Sequence, residues 1–343
     1  FLCSIALMLL FFTVALAQGS FFGGIQINND YYVRDSLIGA ANTPHYDDLK
    51  SSADVWIDLK YNNSKYDFDA GVRLDLYLNS NLHNPGTVYN RQGIGMWYIR
   101  KRFNKFEITG GYIYDQFGSG IVFRAYEDRT LGIDNAILGA HIKYDVMDNL
   151  TIKAFGGVQK NRIDLYRPVI MGINAEGFYS VGKEDNIQLI PGISAVNRTM
   201  DQLSMDNIVN TIKTYDEEDR FVPRYNTYVL GAYNTLNAGP FAWYVEYAAK
   251  TTEAQADQNL RLFDAWGQVL YTTMAFTVKG LGISAQFKRT QNFQFRTSPN
   301  ETLLQGMISY IPPVTRQNSL RLPARYVPQS LELEELGYGL DVT

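Results

Sequence analysis

The stretch "KYDFDAGVRLDLYLN", residues 65–79, sets Lys65, Asp67, Asp69, Arg73 and Asp75 on one side of the chain. It sets Tyr66, Phe68, Ala70, Val72, Leu74, Leu76 and Leu78 on the other. A period of two sustained over this length has one simple solution, a β-strand with one apolar face. The same period recurs at 53–61, with Val55, Ile57 and Leu59 against Asp54, Asp58 and Lys60. It recurs again at 136–146, with Ala136, Leu138, Ala140, Ile142, Tyr144 and Val146 against His141, Lys143 and Asp145. Further strands are expected in "RQGIGMWYIRKRF", "NLTIKAFGGVQ", "RYNTYVLGAYNTL", "PFAWYVEYAA", "QVLYTTMAFTV" and "GLGISAQFKR". These runs approach or exceed the roughly 9 to 11 residues that a tilted strand needs to cross a bilayer, whereas soluble strands have about 5 or 6.

The connections narrow the fold further. Short turns are expected at 62–64, at Asn104, at 147–149, at 237–239 and at 279–280, and long ones at 34–50, 80–90, 115–134, 161–222, 251–265 and 294–316. Strict alternation of short and long connections is the pattern of an outer-membrane barrel, with periplasmic turns at one end and extracellular loops at the other. Aromatic residues near strand ends, among them Tyr31, Tyr32, Trp97, Tyr98, Tyr112, Tyr114, Trp243 and Tyr244, suit an interfacial girdle. Lys101 sits on an outward face at a periplasmic end, where a long side chain reaches the interface. The expected fold is all-β, a transmembrane antiparallel up-and-down β-barrel of about 12 to 13 strands, with a small helical insertion. A secreted β-sandwich or propeller is the competing architecture, and no fixed-period repeat of the propeller kind is visible.

The first residues, "FLCSIALMLLFFTVALAQGS", read as a secretory signal ending at Ala15-Leu16-Ala17, which makes 1–17 a signal peptide and 18–343 the barrel. Location in a Gram-negative outer membrane after cleavage is then expected. The lone Cys3 lies in that leader, so the mature chain would have neither disulfides nor thiolate metal sites. Beyond Gln18 no run of about 18 apolar residues occurs, which excludes helical spans. A net charge of -4 and dispersed charges remove the basic footprint of nucleic-acid binding. The 24 Tyr, 19 Phe and 28 Gly, with a mean hydropathy of -0.19, suit an all-β secreted chain. An even strand number is the rule for single-chain barrels, and a strand is just starting in "ELEELGYGLDVT". The chain is therefore expected to be truncated at its C-terminal end, with at least about 14 strands in the full protein, and the lack of an initiator Met and of a basic n-region gives the same expectation for the N-terminal end.

The stretch 161–222 is read as one long extracellular loop or cap containing a short helix, with Thr199 and Gln202 as its capping box. His45 and His83 are assigned to loops and His141 to an inward strand position, and no catalytic arrangement emerges. "YEDR" and "YDEED" lack the spacing of a calcium loop, so solvated charge is the default and no metal or cofactor is assigned. "GSGIVFRAY" lacks the Lys-Ser/Thr of a phosphate loop, and Phe123 stands where a third glycine would be needed. Gly118 and Gly120 instead permit a sharp reversal. Behind it Arg124, Glu127, Asp128 and Arg129 form a mixed-charge cluster, either folded inward as a constriction or displayed on an exposed loop.

The phrases "GGYIYDQFGSGIVFRAYEDRTLGIDNAILG", "PGISAVNRTMD", "RYNTYVLGAYNTL", "GLGISAQFKRTQNFQFRTSP" and "PPVTRQNSLRL" resemble an uncharacterised family of outer-membrane proteins from Bacteroidota. The resemblance runs from about residue 20 onward. It implies a signal peptide and further residues past this chain's end, and no activity.

Two functions remain open. One is a porin-like passive channel for small polar solutes, with Asp67, Asp69, Arg73 and Asp75 on the wall and Arg124, Glu127, Asp128 and Arg129 at the constriction. The other is a non-conducting structural barrel that docks an outer-membrane or surface protein through its large loop. Outer-membrane lipid is the partner common to both, and an enzyme is not expected.

Overall fold

The computed structural model describes residues 19–33, 35, 37, 49–80, 88–182, 186–302, 305–314 and 331–343. The expected signal segment, His45 and His83 lie outside the described residues. The chain divides into two compact units, residues 1–112 and 113–343.

In the first unit β1 (Ser20–Tyr31), β2 (Ser51–Asn63), β3 (Phe68–Ser80), β4 (Tyr89–Phe103) and β5 (Phe106–Ile113) follow one another as antiparallel neighbours. The two-residue turn Asn104-Lys105 closes on the pair Phe103 and Phe106, with Asn104 at φ 53°. Asparagine tolerates that left-handed conformation better than most residues, which fixes the register of β4 on β5. Lys101 donates to the Tyr66 carbonyl in the neighbouring turn, at the short-turn end where the sequence placed it.

The second unit continues the pattern with β10 (Ile137–Met147), β11 (Leu150–Asn161), β12 (Asp164–Gly177), β14 (Ile187–Thr199), β15 (Asn226–Ala238), β16 (Phe241–Ala256), β17 (Leu262–Val278), β18 (Leu281–Gln291) and β19 (Glu334–Val342). A three-residue strand β13 (Tyr179–Val181) adds to β14. Between β5 and β10 lie two small hairpins, β6 (Asp115–Phe117) with β7 (Phe123–Ala125), and β8 (Glu127–Asp128) with β9 (Ile133–Asp134). The fold is thus an all-β antiparallel up-and-down meander with one small helical insertion. Fifteen strands take part in main-sheet ladders among the described residues.

The excess over the expected strand number comes from β12, β13 and β14, which occupy most of the stretch read as one loop. Two physical causes hid them. The β11–β12 turn is Arg162-Ile163, closed by the pair Asn161 and Asp164 with Arg162 at φ 60°, so no glycine marks it. Pro168 and Pro191 interrupt the donor pattern, and proline normally argues against an interior strand. Pro168 stands just before β12 begins to pair with β14, beside a register shift in the β11 ladder. Because two long strands were added, the parity of short and long connections is unchanged. The stretch expected as a loop at 251–265 is likewise mostly ladder, leaving 257–261 as the turn.

The helix α1 (Gln202–Lys213) is where the sequence expected one. Its N-cap is Asp201, whose carboxylate accepts from the Ser204 N–H; Thr199 ends β14 and bonds Asn197 and Asn226 instead. A carboxylate satisfies an orphan helix donor and also sits well at the positive end of the helix dipole. Met205, Ile208 and Ile212, at i, i+3 and i+7, bury the apolar stripe against Met200, Ala254, Ala256 and Leu262.

Candidate functional site

The strand faces are inverted relative to a soluble domain. On β3 the buried positions are Arg73, Asp75, Tyr77 and Ser80, the two charged ones each 1% exposed, while Leu74 and Leu78 are 45% and 56% exposed. In the second unit the buried face carries His141, Asn174, Ser194, Arg198, Glu246, Lys250 and Lys288, and the open face carries Met171, Ile173, Ile193, Leu230 and Met274. Strand alternation alone produces this arrangement once the polar set is turned inward.

The sequence-derived wall residues fall into three environments. Arg73 and Asp75, two positions apart on one face, form an ion pair at 2.6 Å (Nε to Oδ1) with a second bond at 3.0 Å from Nη2 to Oδ2. Asp69 lies 3.9 Å from Arg100, which also reaches Glu107 at 3.6 Å. Asp67 is not on the strand: it ends the four-residue turn 64–67 at φ 47°, exposed, and its carbonyl accepts from the Arg102 N–H. The alternation beginning at Lys65 ran through a turn because a turn of four residues preserves the parity of a period of two.

The segment 114–136 is folded inward, and what it contributes is mainly apolar. Phe117, Ile121, Val122 and Phe123 have no exposed surface, and they pack with Phe155, Ile170, Val196, Val229, Ala248 and Val269 from six consecutive main-sheet strands. The ring of Phe123 stacks on Phe155 at 4.1 Å, and Phe117 lies 5.7 Å from the same ring. Burying these four side chains is worth on the order of 10 kcal/mol before ordering entropy is subtracted. Gly231 makes room, since a Cβ there would stand 2.4 Å from Cγ2 of Val122.

The reversal occurs at Gly118 (φ 53°) and Gly120 (φ 100°), as the sequence indicated. Ser119 at its tip donates both its N–H (2.9 Å) and its hydroxyl (2.5 Å) to Oε2 of the fully buried Glu246, which also accepts from the Tyr244 hydroxyl. The glycine turn therefore presents its donors to a carboxylate of the wall, where a phosphate loop would present them to a ligand.

The charged cluster behind the turn is internally satisfied. The Arg124 guanidinium lies between the rings of Tyr126 and Tyr310, 4.1 and 4.2 Å from their centroids. Arg129 pairs with Glu127 at 3.1 Å, and Asp128 accepts from the N–H groups of Thr130 and Leu131. Burial pushes the Tyr126 phenol up to about 12. Asp115, at the start of the hairpin, bonds His141 at 3.1 Å and Lys153 at 2.8 Å. Burial works to raise its pKa, but the His141 bond and the Lys153 charge outweigh it and hold the carboxyl below the ordinary aspartate value. Within each group the charges neutralise one another, so neither group presents an unpaired carboxylate pair or an activated nucleophile. Among the described residues no group of three or more His, Cys, Asp or Glu could hold a metal ion.

Sequence reading missed the charges that matter most to this interior: Glu246, and the set Arg198, Lys250 and Glu253. Glu253 joins Lys250 at 2.5 Å and Arg198 at 2.8 Å, all three buried. A usable signal existed for the folded-in segment. Ile121-Val122-Phe123 is an unbroken apolar run inside a connection, which a solvated loop does not favour.

No curated protein matches the chain. Among solved structures it is similar to OccK8 (OprE) of Pseudomonas aeruginosa, at 12% identity and a TM-score of 0.45, covering 80% of this chain and 67% of that one. A BenF-like porin from Pseudomonas fluorescens is similar at 10% identity and a TM-score of 0.43, with 80% and 66% covered. The outer membrane protein OpdK of Pseudomonas aeruginosa is similar at 10% identity and a TM-score of 0.39, with 82% and 83% covered. The match that defines the chain is at the level of sequence family: it belongs to DUF6029, a family of unknown function, whose model matches residues 2–343.

Proposed function

We propose that this protein is a non-conducting outer-membrane β-barrel whose interior is filled by its own connections, and which presents the helical segment 200–225 at the cell surface to a partner protein. The single observation that supports the reading is an apolar cluster within residues 113–343 to which strand faces and connections both contribute. Phe117, Ile121, Val122, Phe123, Phe293, Phe295 and Ile308 form one cluster without exposed surface. A water-filled path along those strand faces would leave such side chains partly wet. The passive channel expected from the sequence also needs its wall charges in water, whereas Arg73 and Asp75 are buried against each other.

Membrane insertion is supported by the open faces. Along β17 the outward positions run from Trp266 to Phe276. Ten residues at about 3.3 Å each give roughly 33 Å along the strand, or ~25 Å across a bilayer at the usual barrel tilt. The polar side chains between them are bonded to aromatics of the neighbouring strand: Gln268 accepts from the Tyr247 hydroxyl at 3.0 Å and Thr272 from Nε1 of Trp243 at 2.8 Å. Apolar bands of this extent are unfavourable in water and suit hydrocarbon.

Fractionation with the outer membrane and a gel mobility that changes on boiling are expected, and recovery as a soluble periplasmic protein would sink the barrel. Leu74→Arg should then cost about 2–4 kcal/mol of barrel stability in lipid if that position lies near the midplane. Equal stability of wild type and Leu74→Arg would assign that face to water.

A further inference from the structure

A second connection enters the apolar cluster. Residues 293–302 and 305–312 bring Phe293, Phe295, Ile308 and Ile311 into it and are stitched to the folded-in hairpin by two backbone bonds, Arg124 N–H to the Ile308 carbonyl and Tyr310 N–H to the Gly120 carbonyl. The two connections therefore form one stopper. Buried carbonyls in a segment without a continuous ladder need donors from elsewhere. Phe295, Ser298, Thr302, Gln305 and Gly306 find them within the segment, and Ile308 finds one in the hairpin. Four more accept from wall side chains, Met307 from Asn135 of the hairpin connection as well. Lys250 donates to the Gln294 carbonyl at 2.5 Å, Arg198 to that of Arg296 at 2.9 Å, Gln159 to that of Met307 at 2.6 Å and Lys288 to that of Pro312 at 3.1 Å.

We propose that Arg198 and Lys250, held together by Glu253, are positioning residues that seat residues 293–302 against the strand faces by capping the Gln294 and Arg296 carbonyls. They take no part in a solute path. The inference rests on the filled-interior reading and adds the means by which the filling is kept in place. Both cations are buried, both point a charged donor at a main-chain oxygen, and charged donors make the stronger hydrogen bonds. Glu253 leaves the set with one net positive charge facing two carbonyl dipoles.

The test is thiol accessibility in the intact protein in outer-membrane vesicles. Ser309→Cys places a probe on the buried segment in a Cys3→Ser background, and a small membrane-permeant maleimide is the reagent. The probe should be protected with the walls intact. It should remain so in Glu253→Gln, which keeps both donors. In Arg198→Met/Lys250→Met/Glu253→Gln, which leaves no unpaired charge, labelling should rise about tenfold or more, as expected for a local opening that has lost two charged hydrogen bonds. Boiling should still shift its mobility. Lys250→Met/Glu253→Gln, which removes one charged donor and leaves the net charge of the set unchanged, should raise labelling by a smaller factor and serves as the test if the triple variant fails to insert. Protection unchanged in the inserted triple variant, or in this double variant where it stands in, overturns the anchoring alone. Ready labelling with all wall residues intact overturns the filled interior and the anchoring together.

Discussion

Two connections of the second unit, 114–136 and 200–225, are of similar length and take opposite routes. The first gives up its own secondary structure beyond two short hairpins and buries Phe117, Ile121, Val122 and Phe123 against strand faces. The second forms a twelve-residue helix and packs it into a separate cluster with Met200, Ala254, Ala256 and Leu262. The difference follows from pattern. An unbroken apolar run between a glycine reversal and charges has no polar face to show solvent, so it must be enclosed. Apolar residues at helical spacing cover only one stripe, so the element rests on a surface with its other face open. One region is enclosed packing, and the other, on the proposed reading, is display.

Substitutions sharpen that contrast in order of size. Phe123→Ala removes a ring stacked at the centre of the first region and should cost about 3–5 kcal/mol of global stability, read as an earlier loss of the heat-modifiable form. An unchanged transition would mean the hairpin is not enclosed. Ile208→Ala should cost about 2–4 kcal/mol, but locally: protease cleavage within 200–225 should accelerate while the barrel transition stays put. A global shift of the same size would join the two clusters into one cooperative core. Asp201→Ala, which removes the N-cap, should cost about 1 kcal/mol of helix stability and raise cleavage modestly at the same site. No change there would show that tertiary packing alone holds the helix.

Much of the meander was legible. The runs around Val55, Leu74 and Ile142 carry period two, and each is a strand within a few residues of its expected ends, whereas the strand around Val269 begins six residues before the run expected for it. The helix was legible from a capping pattern, although its cap was assigned to Thr199 where the stronger acceptor Asp201 lay two residues on. What stayed hidden depends on contacts distant in sequence. Arg73 and Asp75 could be put on one face, but their mutual burial depends on what covers that face. Arg198 meets Glu253, and Lys250 beside it meets Gln294, across three separate elements, and no local pattern marks them. The strands around Pro168 and Pro191 were lost because proline signals breaks more reliably than it signals bulges and edges.

The central claim is that the interior is closed by the chain's own connections. Planar-bilayer conductance of purified protein tests it directly, with wild type beside a variant in which residues 115–135 are replaced by a short glycine-serine link. The account predicts silent wild-type insertions and step-like openings in the deletion variant. Stable conducting steps from wild type, unchanged by the deletion, would contradict it.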